Sequence, residues 1–310
     1  MKKGNGNKSC NRIKKYIIRD RYLILLVAPV VIYYFVFHYI PMYGAVIAFK
    51  DFSAGQTIWG SEWAGLKWFQ EFFRSVYFGR LISNTLILSS LSLVFSFPVS
   101  IIFALLLNEI RRKALKRVIQ TVSYLPHFIS LVVMVGMMSN FLSPSDGVVN
   151  QILKNFGMQP IDFMGESAWF RPLYIGSGIW QSFGWNSIIY MAALIAIDPN
   201  LYEAARIDGC SRWQEMLHIT IPGLMPTAVM LLILALGNLM NVGFEKIILM
   251  YSPATYDVAD VISTYVYRRG ILSAQYSFGA AVGLFNSVIN FILLLSINKI
   301  SKLYTQISLW

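Results

Sequence analysis

The chain has 310 residues, of which 56% are hydrophobic and only 13% charged, and its mean hydropathy is +0.56. This composition excludes an ordinary soluble domain and indicates a polytopic membrane protein. The formal net charge of +11 could indicate a nucleic-acid partner. The positions of the charged residues along the chain decide whether such a partner is needed. Cys10 and Cys210 lie far apart, without the spacing of a metal or redox site.

The amino-terminal segment, residues 1–21, is polar and basic. The uncharged apolar run that follows, residues 22–40, would span about 28 Å as a helix, enough to cross the hydrocarbon core. A cleaved signal peptide would have a shorter apolar region and a small-residue cleavage site, whereas Tyr39-Ile-Pro-Met-Tyr43 follows here. We therefore predict a true membrane span.

The next segment, residues 41–80, is rich in aromatic side chains. They are Trp59, Trp63, Trp68, Phe69, Phe72, Phe73, Tyr77 and Phe78. Such a set is typical of a belt at the membrane interface, and also of a surface on which another protein docks. The sequence favours the belt and leaves the docking surface open.

Five further apolar runs are long enough to cross a membrane and carry no charge unless His127 is protonated. They are residues 81–108, 118–141, 172–197, 221–244 and 276–298. Together with the first run they predict six spans. Pro98, Pro126 and Pro226 lie inside or near the ends of these runs, where we expect them to kink a helix.

Polar side chains in the fourth and fifth spans need partners or water, because each costs free energy in hydrocarbon. Those of the fourth span are Trp180, Gln181, Trp185, Asn186 and Tyr190. Those of the fifth span and just past its end are Asn238, Asn241 and Glu245, whose spacing predicts one shared helical face. Amides and a carboxylate beside aromatic rings suit a sugar pathway. Contact between helices is the alternative.

A polar stretch between these two spans, residues 198–222, predicts two short helices joined by a tight turn. Asp198-Pro199 supplies an N-cap and a proline at the first helical position, and Gly209 a left-handed C-cap. Ser211-x-x-Gln214 has the spacing of a capping box for the second helix. Pro222 is expected to end that helix after about three turns.

The distribution of charge predicts the orientation. The side that holds the amino terminus, together with residues 109–117, 198–220 and the tail, has 17 Lys and Arg and 6 acidic residues. The opposite side has 9 of each. The basic side is cytoplasmic by the positive-inside rule, so both termini and the 198–222 loop lie there. The net charge is thus a topology signal, and a nucleic-acid partner is unnecessary.

The 198–222 loop resembles the cytoplasmic "EAA" loop of permease subunits in type I ABC importers. The matching residues are Glu203, Ala204, Ala205, Asp208, Gly209, Ile219 and Pro222. An ordinary capped loop would explain the caps but not this combination. Two further stretches resemble the complex-oligosaccharide uptake branch of the same family. The first is residues 39–52, and the second extends from residues 241–246 to residues 259–270.

The resemblance implies an all-α, six-helix membrane protein of MetI-like architecture. Its segments are a basic amino-terminal segment (1–21), a first span with an external aromatic segment (22–80), a five-helix core (81–298) containing the coupling loop, and a tail (299–310). The implied partners are a cytoplasmic ATPase dimer that binds ATP and Mg²⁺, a second and different permease, and an extracytoplasmic sugar-binding protein that docks on residues 41–80 and 245–275. The chain itself is expected to bind no cofactor, and the family mechanism is alternating access.

Other classes of function find less support. His38, His127 and His218 are scattered, without a metal-ligand spacing or a nucleophile motif, so we predict no catalytic or metal site. A stand-alone secondary carrier or channel is the alternative, and it would usually show an inverted repeat, broken half-helices or a buried ionisable relay. A membrane-embedded enzyme is the third interpretation.

Overall fold

The computed structural model describes residues 19–305 and residue 308. The described part is predominantly helical, which confirms the predicted all-α class, with one two-stranded antiparallel sheet on the external segment. The first elements are α1 (Arg21–Tyr34), α2 (Ile40–Met42), β1 (Lys50–Asp51), β2 (Glu62–Trp63), α3 (Lys67–Arg74), α4 (Phe78–Glu109), α5 (Lys113–Tyr124), α6 (Leu131–Phe141) and α7 (Val148–Asn155). The remaining elements are α8 (Ser167–Ile195), α9 (Pro199–Ile207), α10 (Arg212–Glu215), α11 (Ile221–Gly237), α12 (Phe244–Met250), α13 (Tyr256–Ala259), α14 (Ile262–Val266) and α15 (Tyr276–Thr305).

The described residues contain up to six helical segments that could cross a membrane, if each bent pair of helices is counted as one span. This number agrees with the six predicted spans. Four continuous helical segments are long and apolar enough: Arg21–Phe49, Phe78–Glu109, Arg212–Gly237 and Tyr276–Leu303. Two pairs qualify although they bend, Lys113–Phe128 with Leu131–Phe141 and Ser167–Ile195 with Pro199–Ile207. In the second pair the bend separates the long helix α8 from the short helix α9.

The third span is broken rather than kinked. Its two halves meet at 96°, so the single helix predicted over residues 118–141 is wrong. Pro126 lies in a 3₁₀ turn at the end of the first half. Ser130 then caps the second half, because its hydroxyl accepts a hydrogen bond from the amide of Val133 at 3.3 Å. A proline followed by an N-cap ends one helix and starts another.

Pro222 does not end a helix, contrary to the prediction. The helix that starts at Arg212 continues through Pro222 to Gly237 as one segment. A π-helical turn, Met216–Thr220, lies directly before the proline. The wider turn makes room for the proline ring and tolerates its missing N–H, which a regular α-helix would not.

The fifth span ends earlier than predicted. Helix α11 stops at Gly237, with Asn238 as C-cap, and the next helix starts only at Phe244. The backbone amide of Met240 is held by Asn290 of α15, whose side-chain oxygen accepts its hydrogen bond at 3.0 Å in a buried position. This tertiary contact satisfies a backbone donor outside the helix, so the chain between α11 and α12 stays ordered without being helical.

The aromatic residues of the external segment do not form one surface. Phe72 of α3 is fully buried and packs against Phe78 and Phe285, with ring centroids 5.1 and 5.6 Å away. Trp59 and Trp63 are instead largely exposed. Part of the set therefore anchors α3 to α15, and only the remainder is free for an interface.

Helices α4 and α8 pack along each other and carry much of the core. Helix α5 crosses α8 at Gly184, where an added Cβ would lie 2.2 Å from the carbonyl oxygen of Ser123. Helix α1 is different, because none of the apolar window of its span is buried in the chain. Its apolar side chains must face lipid or another chain.

Candidate functional site

A cavity of about 430 Å³, lined by both polar and apolar side chains, lies between α4, α8, α11 and the segment that follows α11. Its polar lining residues are Ser89, Ser92, Ser96, Ser100, Tyr174, Asn186, Tyr190, Asn238 and Asn241. No charged residue is among the residues that line it within the described part of the chain. Neutral hydroxyls, amides and phenols beside apolar side chains are the groups that bind sugars.

Four serines of α4 form one wall of the cavity. Ser89, Ser92, Ser96 and Ser100 recur at helical spacing and so share one face. The hydroxyls of Ser89 and Ser100 donate to the carbonyls of Thr85 and Ser96, which leaves their oxygens as acceptors. Sequence reasoning missed this wall. The repeated serine within an otherwise apolar run was the signal that could have shown it.

Four of the eight predicted pathway residues meet at the cavity. Asn186 and Tyr190 come from α8, whereas Asn238 and Asn241 come from the end of α11 and the segment after it. Asn241 also accepts a hydrogen bond from the side-chain amide of Asn286 at 3.0 Å. The predicted helical face of Asn238, Asn241 and Glu245 is wrong, because the helix ends before all three.

The other four predicted residues lie outside the cavity lining. Gln181 donates to the carbonyl of Ile129 at 2.8 Å, and Trp185 stacks on His127 with centroids 4.5 Å apart. Both therefore fasten α8 to the break in the third span, in agreement with the helix-contact alternative. Trp180 and Glu245 are exposed.

The loop between the fourth and fifth spans forms a capped helical pair, here called the knob (residues 198–222). Asp198 accepts a hydrogen bond from the amide of Asn200 at 3.0 Å, as predicted for its N-cap. Gly209 has φ +79°, and the amides of Gly209 and Cys210 bond back to Arg206 and Ala205 in a Schellman motif. The predicted capping box of Ser211 and Gln214 is present, with both hydrogen bonds formed.

Side chains clasp the two helices of the knob together. Arg206 of α9 binds the buried carboxylate of Glu215 at 2.9 Å, and this hydrogen bond raises the pKa of Arg206. Tyr202 bonds to Thr220 at 3.0 Å, also across the pair. Arg212 lies 3.9 Å from Glu109 at the end of α4. The knob is thus a fixed unit that touches a cavity-lining helix.

The residues that match the EAA pattern occupy this knob. Glu203, Ala204, Asp208, Gly209 and Pro222 are exposed, whereas Ala205 and Ile219 are half-buried. Exposed apolar side chains flank them: Leu201, Ile207, which is 87% exposed, and Trp213, which is 64% exposed. Such exposure on a rigid pair of helices is typical of a docking surface.

The family model described as "Binding-protein-dependent transport system inner membrane component" matches residues 96–304, which include most of the cavity and the whole knob. The chain belongs to this family. The permease resemblance and the MetI-like fold predicted from the sequence are thereby confirmed.

Two curated relatives of the permease come from Bacillus subtilis (strain 168). Protein LplB is 43% identical over 288 residues, which cover 93% of the permease and 91% of LplB. The polygalacturonan/rhamnogalacturonan transport system permease protein YteP is 42% identical over 290 residues, with coverages of 94% and 90%.

Two solved structures resemble the permease closely. A chain of a bacterial ABC transporter involved in the import of the acidic polysaccharide alginate is 44% identical, with a TM-score of 0.86 over 95% of the permease and 99% of that chain. A chain of a bacterial alginate ABC transporter in complex with alginate pentasaccharide-bound periplasmic protein is also 44% identical, with a TM-score of 0.88 over 96% and 100%.

The part of the permease that the charge distribution predicts to be external carries two adjoining clefts of about 570 and 590 Å³. Tyr77 and Tyr265 line both clefts. The other residues of the first cleft are Arg80, Pro253, Ala254, Tyr256, Asp257 and Arg268. Those of the second are Lys67, Gln70, Glu71, Arg74, Ser75, Val76 and Arg269. Both clefts fall within the two segments predicted to dock a binding protein.

Proposed function

We propose that this permease moves an oligosaccharide across the cell membrane of a prokaryote, driven by an ATPase that docks on the knob. One observation carries the proposal: the three helices that line the cavity converge on the knob. Helix α8 leads into α9 across Asp198, the Arg212–Gly237 helix runs from the knob to the cavity, and α4 ends at Glu109 beside Arg212. Movement of the knob therefore reaches every helical wall of the cavity.

The expected mechanism is alternating access. ATP binding and Mg²⁺ belong to the ATPase chains, which close and carry the knob with them. Because the knob is clasped internally, its displacement turns α4, α8 and α11 rather than deforming the loop. The walls of the cavity then open on the opposite side of the membrane, and the serines and amides exchange hydrogen bonds with the sugar hydroxyls as it passes.

The permease is proposed to pair with a second, different permease, as the family resemblance implies. The unburied helix α1 supports a partner chain, because its apolar side chains find no cover within the described residues. We propose that both termini lie in the cytoplasm, which the excess of Lys and Arg on that side supports. A sugar-binding protein then meets the outer clefts.

An oligosaccharide is proposed as the cargo because of the cavity chemistry and because the similar proteins include a polygalacturonan/rhamnogalacturonan transport permease and an alginate importer. A stand-alone carrier has one observation in its favour, the broken third span, a feature that sequence reasoning did not find. The break lies at residues 129–130, which do not line the cavity, so it does not form the site that a carrier would need.

Crosslinking tests the two docking surfaces. Ala254 lines an outer cleft and Ala204 lies on the knob, and both are exposed. After Cys10 and Cys210 are replaced by Ser, Ala254→Cys is expected to crosslink to the sugar-binding protein alone and Ala204→Cys to the ATPase alone, with a cysteine-to-amine reagent on the assembled complex. The reverse pattern would overturn the orientation.

Substitution of Asn241 tests the pathway. Asn241→Leu removes an amide from the cavity wall, so we expect the initial rate of sugar uptake to fall about tenfold while the ATPase still co-purifies. Asn155→Leu makes the same chemical change on an exposed position at the end of α7 and should leave uptake unchanged. If Asn241→Leu takes up sugar as fast as Asn155→Leu, Asn241 does not contact the sugar and serves only contact between helices.

A further inference from the structure

Lys246 is a buried cation without a carboxylate partner among the described residues. It lies in α12, is 6% exposed, and its ammonium donates to the carbonyl of Tyr174 at 2.6 Å. The same ammonium lies 4.6 Å from the centre of the Tyr174 ring. None of the ion pairs among the described residues includes Lys246. Burial of a charge without an ion-pair partner costs free energy, which indicates that Lys246 has a function.

The position of Lys246 joins it to the cavity. Tyr174, which binds its ammonium, lines the cavity, and the hydroxyl of Tyr174 accepts a hydrogen bond from Gly243, another lining residue. Gly178 leaves room for the charge, because an added Cβ would lie 3.2 Å from the Lys246 nitrogen. The ammonium is thus held directly behind the cavity wall.

A second cation lies on the same end of α8. Arg171 donates to the side-chain oxygen of Asn84 at 3.0 Å, its Nε is buried without a partner, and it forms no ion pair with the described residues. The cavity lining itself contains no acidic side chain in this part of the chain. Lys246 has no carboxylate partner, whereas Arg171 lies one helical turn from Ser167, which binds the carboxylate of Asp257. The positive potential at this end of the cavity therefore comes chiefly from Lys246, and a low-dielectric surrounding strengthens it.

We propose that Lys246, supported by Arg171, makes the cavity selective for oligosaccharides that carry carboxylates, an inference that rests on the proposed oligosaccharide transport. The sugar's carboxylate supplies the missing counter-charge when it enters the cavity. Helix α12 lies outside the candidate spans, and burial lowers the pKa of Lys246 to about 8, so the ammonium predominates at pH 7.

Two substitutions separate charge from packing. Lys246→Gln removes the charge but keeps a donor for the Tyr174 carbonyl, whereas Lys246→Arg keeps the charge. Lys154→Gln is the control, because the ammonium of Lys154 also donates to a carbonyl, that of Ser145 at 3.2 Å, while Lys154 lies outside the cavity lining and outside both segments predicted to dock a binding protein. Each variant is assembled with its ATPase, partner permease and binding protein in proteoliposomes.

The measurement is uptake of a trigalacturonate and of its neutral methyl ester at saturating binding protein. Lys246→Gln should lower the rate for the acidic sugar about tenfold, and Lys246→Arg and Lys154→Gln should keep it near the wild-type rate. Any uptake of the neutral ester should be unaffected in Lys246→Gln. Equal loss in Lys246→Gln and Lys246→Arg, or no loss in either, would overturn the inference. Wild-type uptake of the neutral ester without uptake of the acidic sugar would also overturn the inference, whereas uptake that needs neither ATP nor the binding protein would contradict the proposed function instead.

Discussion

Gly209→Val is expected to uncouple transport while the spans remain inserted. Gly209 has φ +79°, a conformation that a β-branched residue adopts only at a cost of roughly 1–2 kcal/mol or more. No atom lies within 4 Å of an added Cβ, so the effect comes from the backbone of the turn and not from a clash. The turn must change, the two helices of the knob then lose their relative orientation, and the ATPase loses its docking surface.

The experiment compares Gly209→Val with Gly157→Val in complexes that contain all partner subunits. Gly157 has φ +76°, and an added Cβ there would also meet no atom within 4 Å. Gly157 follows α7, however, and lies outside the knob. We expect Gly209→Val to lower ATPase retention and sugar uptake at least tenfold, and Gly157→Val to lower neither. Normal retention, hydrolysis and uptake in Gly209→Val would show that the knob does not couple the two activities.

Ala205→Trp is a companion substitution in the knob. Ala205 is half-buried, and its carbonyl accepts the hydrogen bond from Cys210 that closes the Schellman motif. A bulky side chain there should keep a docking partner at a distance, so ATPase retention is expected to fall as it does in Gly209→Val. The same complexes provide the measurement.

Asp260→Ala is expected to destabilise the permease strongly. The Asp260 carboxylate is fully buried and receives two hydrogen bonds from Arg268, at 2.8 and 2.6 Å, and one from Thr264 at 2.7 Å. The hydrogen bond with Asp260 raises the pKa of Arg268. Arg80 lies 3.7 Å away on α4, so the carboxylate also faces a second guanidinium. Its removal leaves partly buried guanidinium groups without a counter-charge, which costs about 3–5 kcal/mol.

Thermal unfolding of the purified complex measures this effect. We expect Asp260→Ala to lower the unfolding temperature by on the order of 5–10 °C. Asp51→Ala is the control, because the Asp51 pair with Lys67 at 2.8 Å is about half exposed and should contribute at most about 1 kcal/mol. Equal melting temperatures for the two variants would show that the buried pair has no special role.

Local signals in the sequence predicted local structure well. The cap at Asp198, the turn at Gly209 and the capping box at Ser211 depend on residues that are neighbours along the chain, and all three are present. Five of the six spans were also placed correctly in outline, because length and hydropathy decide them. These features need no knowledge of the tertiary fold.

The errors concern places where distant residues decide the outcome. Asn290 binds the backbone at Met240 and helps to hold the segment after α11 out of the helix, which no pattern within the fifth run indicates. The π-helical turn before Pro222 similarly overrides the usual effect of proline. The predicted face of Asn238, Asn241 and Glu245 failed with the helix, yet Asn238 and Asn241 still reach the cavity because the chain turns there.

ATP-driven uptake by the reconstituted complex tests the central claim most directly. Proteoliposomes that contain the permease, its partner permease and the ATPase are loaded with ATP and Mg²⁺, and a labelled oligosaccharide is added outside with its binding protein. We predict uptake that stops when either ATP or the binding protein is omitted. Uptake that persists without both and follows an imposed proton or sodium gradient would contradict the account and indicate a stand-alone carrier.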